Sequence, residues 1–292
     1  MKEAYLYKKL KDKTVQCQNC AHYCLVSPNK RGICGVRENI GGKLYTLNYG
    51  KLIACQIDPI EKKPLYHFLP HTYSLSVAAA GCNFACQNCQ NWQISQASKP
   101  KKPIGGKETS PQAIVDIALK NNLPSISYTY TEPAIFSEYA LDIMKLAGIR
   151  GLKNVWVTNG FWSQELFDMV SPYLDAANVD LKSFDEDFYK KICQGGLQPV
   201  LNILKRLKKK KIWVEITTLV LPGLNDQEKT FQEIAGFIKK ELGSETPWHV
   251  SRFFRDVSWQ LKGLPDTPAE AIKRACQIGR ETGLKNVHAG NL

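Results

Sequence analysis

The sequence predicts an α/β protein with parallel strands and crossover helices, preceded by a small cysteine-rich module. From Tyr73 onward, apolar β-rich runs alternate with segments of helical periodicity, which is the pattern of repeated βα units. Before that point, a cluster of four cysteines lies among turn residues and short β-like pieces. A stretch of this length depends on a metal staple more than on a core of its own. We therefore expect an N-terminal module over residues 1–58 and a core domain over residues 59–292.

The composition fits one large α/β domain with a small appendage. The chain has 292 residues, and a hydrophobic content of 43% supports a sizeable core. No apolar run is as long as a membrane span, and the N-terminal residues are too charged for a secretory signal. We therefore expect a cytoplasmic protein with no membrane partner. In a reducing compartment, the ten cysteines indicate metal ligands more than disulfides.

The chain carries a formal net charge of +12, and its densest basic run is Lys208 to Lys211. These lysines end a segment in which apolar residues recur at helical spacing. They are therefore expected on the solvent face of an amphipathic helix. The other basic residues are scattered, and no aromatic-interleaved nucleic-acid motif accompanies them. The sequence thus indicates no nucleic-acid partner.

The sequence pattern of the core domain predicts successive βα units. Strands are expected at residues 73–80, 125–130, 154–158, 176–181, 212–220 and 248–254, and helices at residues 111–121, 134–146, 163–171, 185–192, 199–209, 227–242 and 267–282. Ser110 before Pro111 predicts a helix N-cap, and Thr267 with Glu270 fits a capping box. Parallel α/β barrels carry their chemistry at the carboxyl ends of the strands, so functional residues should follow each strand.

The most specific motif follows the first of these strands. Cys82, Cys86 and Cys89 are spaced Cys-x3-Cys-x2-Cys on one predicted loop. Three thiolates can hold three corners of a [4Fe-4S] cluster, whereas a cluster or a structural zinc ion normally takes four protein ligands. One iron is then left open to a ligand that is not protein. The alternative is a zinc loop that takes a distant fourth ligand such as His71.

This motif, placed after a first barrel strand, resembles the signature of the radical S-adenosylmethionine (SAM) superfamily. The resemblance implies a partial (βα)6 TIM-like barrel, a [4Fe-4S] cluster on the three cysteines, and SAM bound to the open iron. It implies an electron from an external donor such as flavodoxin or ferredoxin. It further implies reductive cleavage of SAM to a 5′-deoxyadenosyl radical, which abstracts hydrogen from a substrate.

The second strand end resembles the SAM site of the glycyl-radical-enzyme activases. Those enzymes have a Gly-Gly-Glu-Pro stretch that holds the SAM amino group, and this chain keeps Glu132 and Pro133. Tyr130 and Thr131 replace the two glycines, so the backbone is expected to approach SAM differently. The alternative is that Glu132 only begins a helix.

Three further strands supply candidate residues. Asn159 lies in a Thr-Asn-Gly run that matches the activases, and Asp180 with Lys182 matches their Asp-x-Lys, which serves the SAM site. The alternative for Asp180 and Lys182 is a structural ion pair at the barrel rim. His249 is a candidate contact to SAM or substrate, or else a packed core residue. Asn88 stands where most superfamily members have an aromatic residue near adenine.

The resemblance narrows when the segments around the core motif are included. They are Cys17-x2-Cys20-x3-Cys24-x9-Cys34, residues 58–70 and residues 89–95. Together they resemble the AmmeMemoRadiSam-system radical SAM enzymes, often labelled pyruvate formate-lyase-activating-enzyme homologues, over nearly the whole chain. The four N-terminal cysteines suit either a four-thiolate zinc ion or a second iron-sulfur cluster, and both alternatives stay open.

We expect an oxidoreductase-type radical SAM enzyme whose substrate is unknown, with a glycyl-radical activase acting on a protein as the leading form. An incomplete barrel leaves an open side through which a protein loop can reach the cluster. The alternatives are radical SAM modification of a small molecule, and a non-catalytic iron-sulfur electron carrier. Glu132, Asp180 and Lys182 favour an enzyme, because an electron carrier needs no strand-end groups matched to an amino acid.

Overall fold

A nine-stranded sheet organises most of the chain, and two three-stranded antiparallel sheets precede it. The structure is a computed structural model that describes residues 1–99 and 103–291. Among these residues, no helix has the length and apolar character needed to cross a membrane.

The N-terminal strands are short and lie in the two small sheets. They are β1 (Lys2–Glu3), β2 (Tyr7–Lys9), β3 (Val15–Cys17), β4 (Leu25–Val26), β5 (Arg37–Ile40) and β6 (Lys43–Thr46). The orders are β1-β6-β5 and β2-β3-β4. Val15, Val26 and Leu44 are buried in a small shared core. Such a core stabilises little by itself, so this region depends on packing against the large sheet or on a bound ion.

The large sheet and its helices follow in chain order. They are β7 (Lys51–Pro59), β8 (Tyr73–Ala79), α1 (Trp92–Ser95), β9 (Lys107–Glu108), α2 (Pro111–Lys120), β10 (Ser125–Tyr128), α3 (Ser137–Ile149), β11 (Lys153–Thr158), α4 (Gln164–Val170), β12 (Ala176–Asp180), α5 (Glu186–Phe188), α6 (Leu197–Lys209), β13 (Trp213–Val220), α7 (Glu228–Phe237), β14 (Trp248–Arg252), α8 (Ala269–Thr282) and β15 (Val287–Gly290). Short 3-10 turns occupy Lys11–Lys13, Ile60–Lys62, Pro133–Phe136, Ser171–Tyr173 and Arg255–Val257, and π-helical turns occupy Tyr189–Cys193 and Ile238–Leu242.

The strands from β8 onward, apart from β9, are parallel, in the order β8-β10-β11-β12-β13-β14-β15. The predicted partial α/β barrel is confirmed, and β15 adds a parallel strand that the sequence did not predict. Val287–Gly290 is a four-residue run that contains a histidine and a glycine, so its strand signal is weak. β7 pairs antiparallel with β8, although most of it precedes the predicted boundary at residue 58.

Two helix-start predictions had different outcomes. Ser110 caps α2, since its hydroxyl accepts a bond of 3.2 Å from the Ala113 N–H. The capping box at Thr267 is wrong, because α8 begins without a side-chain cap. The Thr267 hydroxyl instead donates to the Val220 carbonyl at 2.6 Å and accepts from the Phe253 N–H at 3.0 Å. Thr267 is therefore a buried tie between the ends of β13 and β14.

The lysine run behaves as predicted. α6 buries an apolar stripe made of Leu197, Val200, Leu201, Ile203, Leu204 and Leu207. Lys208 to Lys211 are exposed at and just beyond the end of this helix. Cations at this end also interact favourably with the helix dipole.

The two faces of the parallel sheet differ in polarity. Apolar strand residues, such as Leu75 and Val250, belong to the main core that includes the helices. Residues that alternate with them carry polar groups, which hydrogen-bond between strands: Ser74 with Ser127 at 2.6 Å, and Thr217 with Asn178 at 2.9 Å. The barrel therefore has a mainly polar inner face, on which Ile60 and Leu65 pack over an apolar patch at Val155 and Ala176.

Three histidines gather on this polar face. The Nε2 atoms of His67 and His288 are 2.8 Å apart, and the rings of His249 and His288 are stacked with centroids 5.1 Å apart. His249 Nε2 lies 2.7 Å from a carboxylate oxygen of the buried Glu215. A close contact between two ring nitrogens requires one of them to be an unprotonated acceptor. Burial and the neighbouring histidines lower the pKa of His288 from 6.5 to about 4.

We expect this depressed pKa to make the fold less stable in acid. In the unfolded chain His288 takes up its proton near pH 6.5, but in the folded chain only near pH 4. Its contribution to stability is therefore complete above pH 6.5 and is lost as the pH falls towards 4. In His288→Gln, the free energy of unfolding should fall less steeply across this window, measured by urea denaturation at each pH. His71→Gln, at an exposed site, is the control. Parallel curves for His288→Gln and the unaltered chain would contradict the assignment.

Candidate functional site

The three-cysteine loop follows β8 and is held tightly by its neighbours. It begins after Gly81, whose φ of +110° is open to glycine and where a Cβ would lie 2.9 Å from the Val36 side chain. Further along, the backbone N–H of Ala85 donates to the Cys193 carbonyl at 2.9 Å, which ties the loop to the turn after β12. Cys86 is buried, and Cys82 and Cys89 are partly buried. The loop is therefore packed on both sides by other parts of the chain.

Two neighbours that the sequence did not single out lie beside these thiols. The Cys193 thiol hydrogen-bonds to Cys86, and this bond lowers the pKa of Cys86 while it raises the pKa of Cys193. The Lys99 ammonium donates to the Phe84 carbonyl at 2.9 Å and is electrostatically coupled to the motif thiols. Cys193 is far from the motif in sequence, and Lys99 follows the motif but is not part of its spacing. Only the tertiary fold brings them to the site.

Lys182 is the second cation at this loop. Its ammonium lies 2.7 Å from a carboxylate oxygen of Asp180, at the carboxyl end of β12. Burial would lower the pKa of Lys182, but the charges of Asp180 and Cys86 raise it well above the usual value. Lys182 thus remains a charged donor beside the cysteine loop. An ammonium here offsets the negative charge of thiolate ligands.

Glu132 is buried at the junction of three loops, with 2% of its surface exposed. One carboxylate oxygen accepts bonds from the Thr158 hydroxyl at 2.7 Å, the Ala134 N–H at 3.1 Å and the Trp162 indole N–H at 3.3 Å. The other oxygen accepts from the Asn159 N–H at 2.8 Å. Burial raises the pKa of Glu132, while these hydrogen bonds lower it and so oppose that effect.

These bonds give Glu132 a structural task in addition to any contact with a ligand. It joins the end of β10 to the end of β11, and it also accepts a bond from Ala134 just after Pro133, which begins a helical turn as the sequence suggested. The oxygen bonded to Asn159 has a second lone pair, so it can accept one more donor. Glu132 can therefore organise the loops and still contact an ammonium group.

Asn159 connects this junction to the cysteine loop. Its side-chain NH2 group donates to the side-chain oxygen (Oδ1) of Asn83 at 2.8 Å and lies 3.9 Å from the Cys82 sulfur. Asn83 in turn donates to the Phe161 carbonyl at 3.3 Å. The predicted residues Glu132, Asn159 and Cys82 are thus linked in space, and Asp180 and Lys182 reach the same loop through Cys86.

Tyr130 retains a glycine-like backbone at the place where the activases have glycine. Its φ is +63°, in the left-handed region that non-glycine residues adopt at a cost. The Tyr130 hydroxyl donates to Asp58, and the Lys63 ammonium lies 4.5 Å from the tyrosine ring. Lys63 also pairs with Asp58 at 2.7 Å. These contacts hold a strained backbone in place, and they account for part of the motif at residues 58–70.

Two other predicted residues lie away from this group. The hydrogen-bond partner of His249 is Glu215, and its ring neighbours are Tyr66 and His288. His71 is exposed before β8, whereas Cys82 follows that strand. A strand of seven residues is about 23 Å long, so His71 does not complete a zinc site with the cysteine loop.

The aromatic residues near the motif are engaged in packing. The Phe84 ring is buried against Phe161 and Tyr189 and fills the space beside Gly195. By contrast, the side-chain oxygen of Asn88 is buried and has no hydrogen-bond partner in residues 1–99 and 103–291. A buried acceptor without a partner is costly unless a ligand satisfies it. Asn88 therefore fits an amino donor such as the exocyclic amine of adenine.

The donor chemistry fits an iron-sulfur cluster with one open iron. Three thiols share one loop, and Lys99 and Lys182 supply positive charge next to them. Across the described residues, no three Cys, His, Asp or Glu side chains are already gathered as closely as a bound metal ion requires.

Comparisons with known proteins point to one superfamily. The sequence profile of the Radical SAM superfamily matches residues 77–235. An uncharacterized protein of Methanocaldococcus jannaschii is 45% identical over 292 residues, which cover 100% of this chain and 86% of that protein. The pyruvate formate-lyase-activating enzyme of Clostridium pasteurianum is 23% identical, over 58% of this chain and 73% of that enzyme. The crystal structure of a radical SAM methyltransferase from Sphaerobacter thermophilus shares the fold, with a TM-score of 0.57 and 15% identity over 76% of this chain and 67% of that chain.

We expect Glu132→Gln to destabilise the fold before any cofactor is considered. The NH2 group of the glutamine would face N–H or O–H groups that now donate to the Glu132 carboxylate. At least one buried donor would therefore lose its partner. The free energy of unfolding should fall by about 1–3 kcal/mol, measured by urea denaturation of the metal-free chain. Glu233→Gln, which removes a partly exposed carboxylate 3.9 Å from Lys229, should change it little and is the control. Equal stability of the two variants would show that the Glu132 network does not hold the loops.

Proposed function

The chain belongs to the radical SAM superfamily, and we propose that it is an oxidoreductase that removes a hydrogen atom from a protein substrate, as glycyl-radical activases do. The cofactors of the superfamily are a [4Fe-4S] cluster and SAM. When bound, the reduced cluster would supply one electron to SAM, whose C5′–S bond would break to give methionine and a 5′-deoxyadenosyl radical able to take the hydrogen. The observation that carries the proposal is the meeting of the three-cysteine loop, Lys182 and Asn159 at one edge of the parallel sheet.

We assign the cluster to Cys82, Cys86 and Cys89. Lys182 is placed to donate to the carboxylate of SAM, because it stays charged and lies beside the cysteine loop. Asp180 orients Lys182 through the contact of 2.7 Å. Carboxylate recognition by an ammonium is a charge-assisted bond, which is about twice as strong as a neutral one.

The amino group of SAM is assigned to the oxygen of Glu132 whose one partner among the described residues is the Asn159 N–H. Asn159 holds the cysteine loop through Asn83, so one residue pair serves both the ligand and the loop. His249 lies away from these residues, with Glu215 as its hydrogen-bond partner, and stays a candidate contact to the substrate only.

A protein substrate is favoured by the open sheet. β15 and β9 stand at the two ends of the strand order in the described part of the chain, so the sheet does not close into a full barrel there. The similarity to the pyruvate formate-lyase-activating enzyme of Clostridium pasteurianum also supports the proposal of a protein substrate. A net charge of +12 favours association with an acidic electron donor, for which we propose a flavodoxin or a ferredoxin.

The first test concerns the cofactor site. After anaerobic reconstitution with iron and sulfide, SAM should change the electron paramagnetic resonance spectrum of the reduced cluster, and 5′-deoxyadenosine should form. In Lys182→Ala, the affinity for SAM should fall by about 10-fold to 100-fold, since a bond to a charged group contributes about 1.5–3 kcal/mol. Lys190→Ala, in the exposed turn after the same strand, is the matched control. No spectral change with SAM, or equal SAM affinity in both variants, would overturn the assignment.

The second test concerns the size of the substrate. A cell extract of the source organism is separated into macromolecules and small molecules, and each fraction is added to the reconstituted enzyme with SAM and a reductant. The macromolecular fraction should raise 5′-deoxyadenosine formation at least several-fold above the background without substrate, and protease treatment should abolish this increase. An increase confined to the small-molecule fraction would favour modification of a small molecule instead.

A further inference from the structure

The four N-terminal cysteines surround one small cavity. Cys17, Cys20, Cys24 and Cys34 line it together with Asn19, His22 and Arg37. The backbone brings the thiols there by two turns: the Cys17 N–H donates to the Cys24 carbonyl at 2.9 Å, and the Gly35 N–H donates to the Gly32 carbonyl at 2.9 Å. Residues 17–37 are called the cysteine knuckle below. Its four thiols come from separate turns and converge on one place.

The size of this cavity distinguishes a site for one zinc ion from a site for a [4Fe-4S] cluster. Its volume is about 10 Å³, which is about the room that one water molecule needs. One zinc ion bound by four thiolates needs little more space than the sulfur atoms already occupy. A [4Fe-4S] cluster adds eight atoms between the cysteines and needs far more space. The cavity therefore favours a single ion.

Arg37 supplies an independent observation. It is 1% exposed, and its two terminal nitrogens donate to Glu138 at 2.8 Å and 2.7 Å. Its Nε is buried and has no hydrogen-bond partner among the residues that the structure describes, although Arg37 lines the cavity. A buried N–H donor of this kind is satisfied by a thiolate sulfur, and such outer bonds orient and stabilise metal ligands.

We propose that Cys17, Cys20, Cys24 and Cys34 bind one zinc ion, with Arg37 Nε donating to a ligand sulfur, and that the zinc-bound cysteine knuckle locks the loops around the radical SAM site. The four thiols, like those of the cluster motif, are not yet as close together as a loaded site. Zinc binding would release the protons of the four thiols.

The cysteine knuckle touches the loop that carries Glu132. The Asn19 side chain donates to the Ala134 carbonyl and accepts from the Ser137 hydroxyl, the latter at 2.7 Å. The next residue, Glu138, is the buried partner of Arg37, with both side chains at most 2% exposed. This pair is therefore shielded from solvent and joins the cysteine knuckle to the first turn of α3.

The cysteine knuckle also touches the other two loops. The Ser163 hydroxyl donates to the Gln18 carbonyl at 2.6 Å, close to the loop that begins with Asn159. The His22 ring lies 2.9 Å from the Asn83 carbonyl, inside the cysteine loop, and the Ser98 hydroxyl donates to the Cys34 carbonyl at 2.8 Å. One small element thus contacts all three loops that carry Cys82, Glu132 and Asn159.

Metal analysis of a chain that cannot hold the first cluster tests the zinc assignment. In the full chain with Cys82→Ala, Cys86→Ala and Cys89→Ala, we expect about one zinc ion per chain as purified. Anaerobic treatment with iron and sulfide should then add no bound iron. About four irons per chain after that treatment would show a second cluster, and the absence of both metals would also overturn the proposal.

Hydrogen–deuterium exchange tests the lock. In Cys24→Ser, which removes the partly buried ligand, we expect zinc content to fall at least tenfold and amide exchange to rise about tenfold at residues 132–138 and 159–163. Exchange in α7 should not change, which shows that the chain stays folded. Cys55→Ser, at a cysteine outside the cysteine knuckle, should keep its zinc and its exchange rates. Loss of zinc with unchanged exchange in those loops would overturn the lock.

Discussion

The buried carboxylate of Glu132 is the interaction on which the geometry of the strand-end loops depends. Parallel strands end at the same edge of the sheet, but nothing in the strand ladder fixes the loops that follow them. Glu132 solves this problem because it accepts bonds from the backbone of Asn159 and from the side chains of Thr158 and Trp162. A carboxylate buried without partners is strongly destabilising, so these donors and Glu132 require one another. The loops after β10 and β11 therefore adopt one arrangement.

The same loops also receive support from strained and charged groups. Tyr130 keeps a left-handed backbone because Asp58 and Lys63 hold its side chain. The Asn91 side chain donates to the Tyr130 carbonyl at 2.9 Å and so joins the end of the cysteine loop to the end of β10. Strain of this kind persists only where the surroundings over-determine the conformation. The backbone of these loops is thus restrained by contacts within the chain itself.

The sequence predicted the repeating units of the fold well, because strand and helix periodicities are local. The strands of the βα units, the buried stripe of α6 and the N-cap at Ser110 all follow from neighbouring residues. Thr267 had the right spacing for a capping box, but its hydroxyl donates instead to the Val220 carbonyl, which is distant in sequence. β15 was missed because a short run with glycine depends on its neighbour strand for its structure.

The site shows the same difference between local sequence signals, which could be recognised, and tertiary contacts, which could not. The motif spacing and the strand ends pointed to Glu132, Asn159, Asp180 and Lys182, and the fold gathers these residues around the cysteine loop. Cys193 and Lys99 could not be found in this way, since each is a single residue of a common type without a motif of its own. The contact of Cys193 with the cysteine loop, through the Ala85 N–H, is a tertiary one.

A radical that removes hydrogen from a chosen carbon must not meet other groups first, and this requirement explains the asymmetry of the molecule. The N-terminal region packs against the loops of β8, β10 and β11, where it contacts Asn83, Ala134 and Ser163. At the other end of the sheet, β15 is an edge strand in the described part of the chain. The contacts of the N-terminal region are therefore concentrated on the side of the cysteine loop. Tyr66 and His67 cover part of the inner face at that end, because their N–H groups donate to Glu215 and the His67 ring contacts His288. A protein loop would therefore approach the cysteine loop along the carboxyl ends of the strands, where Lys182 and Asn159 lie.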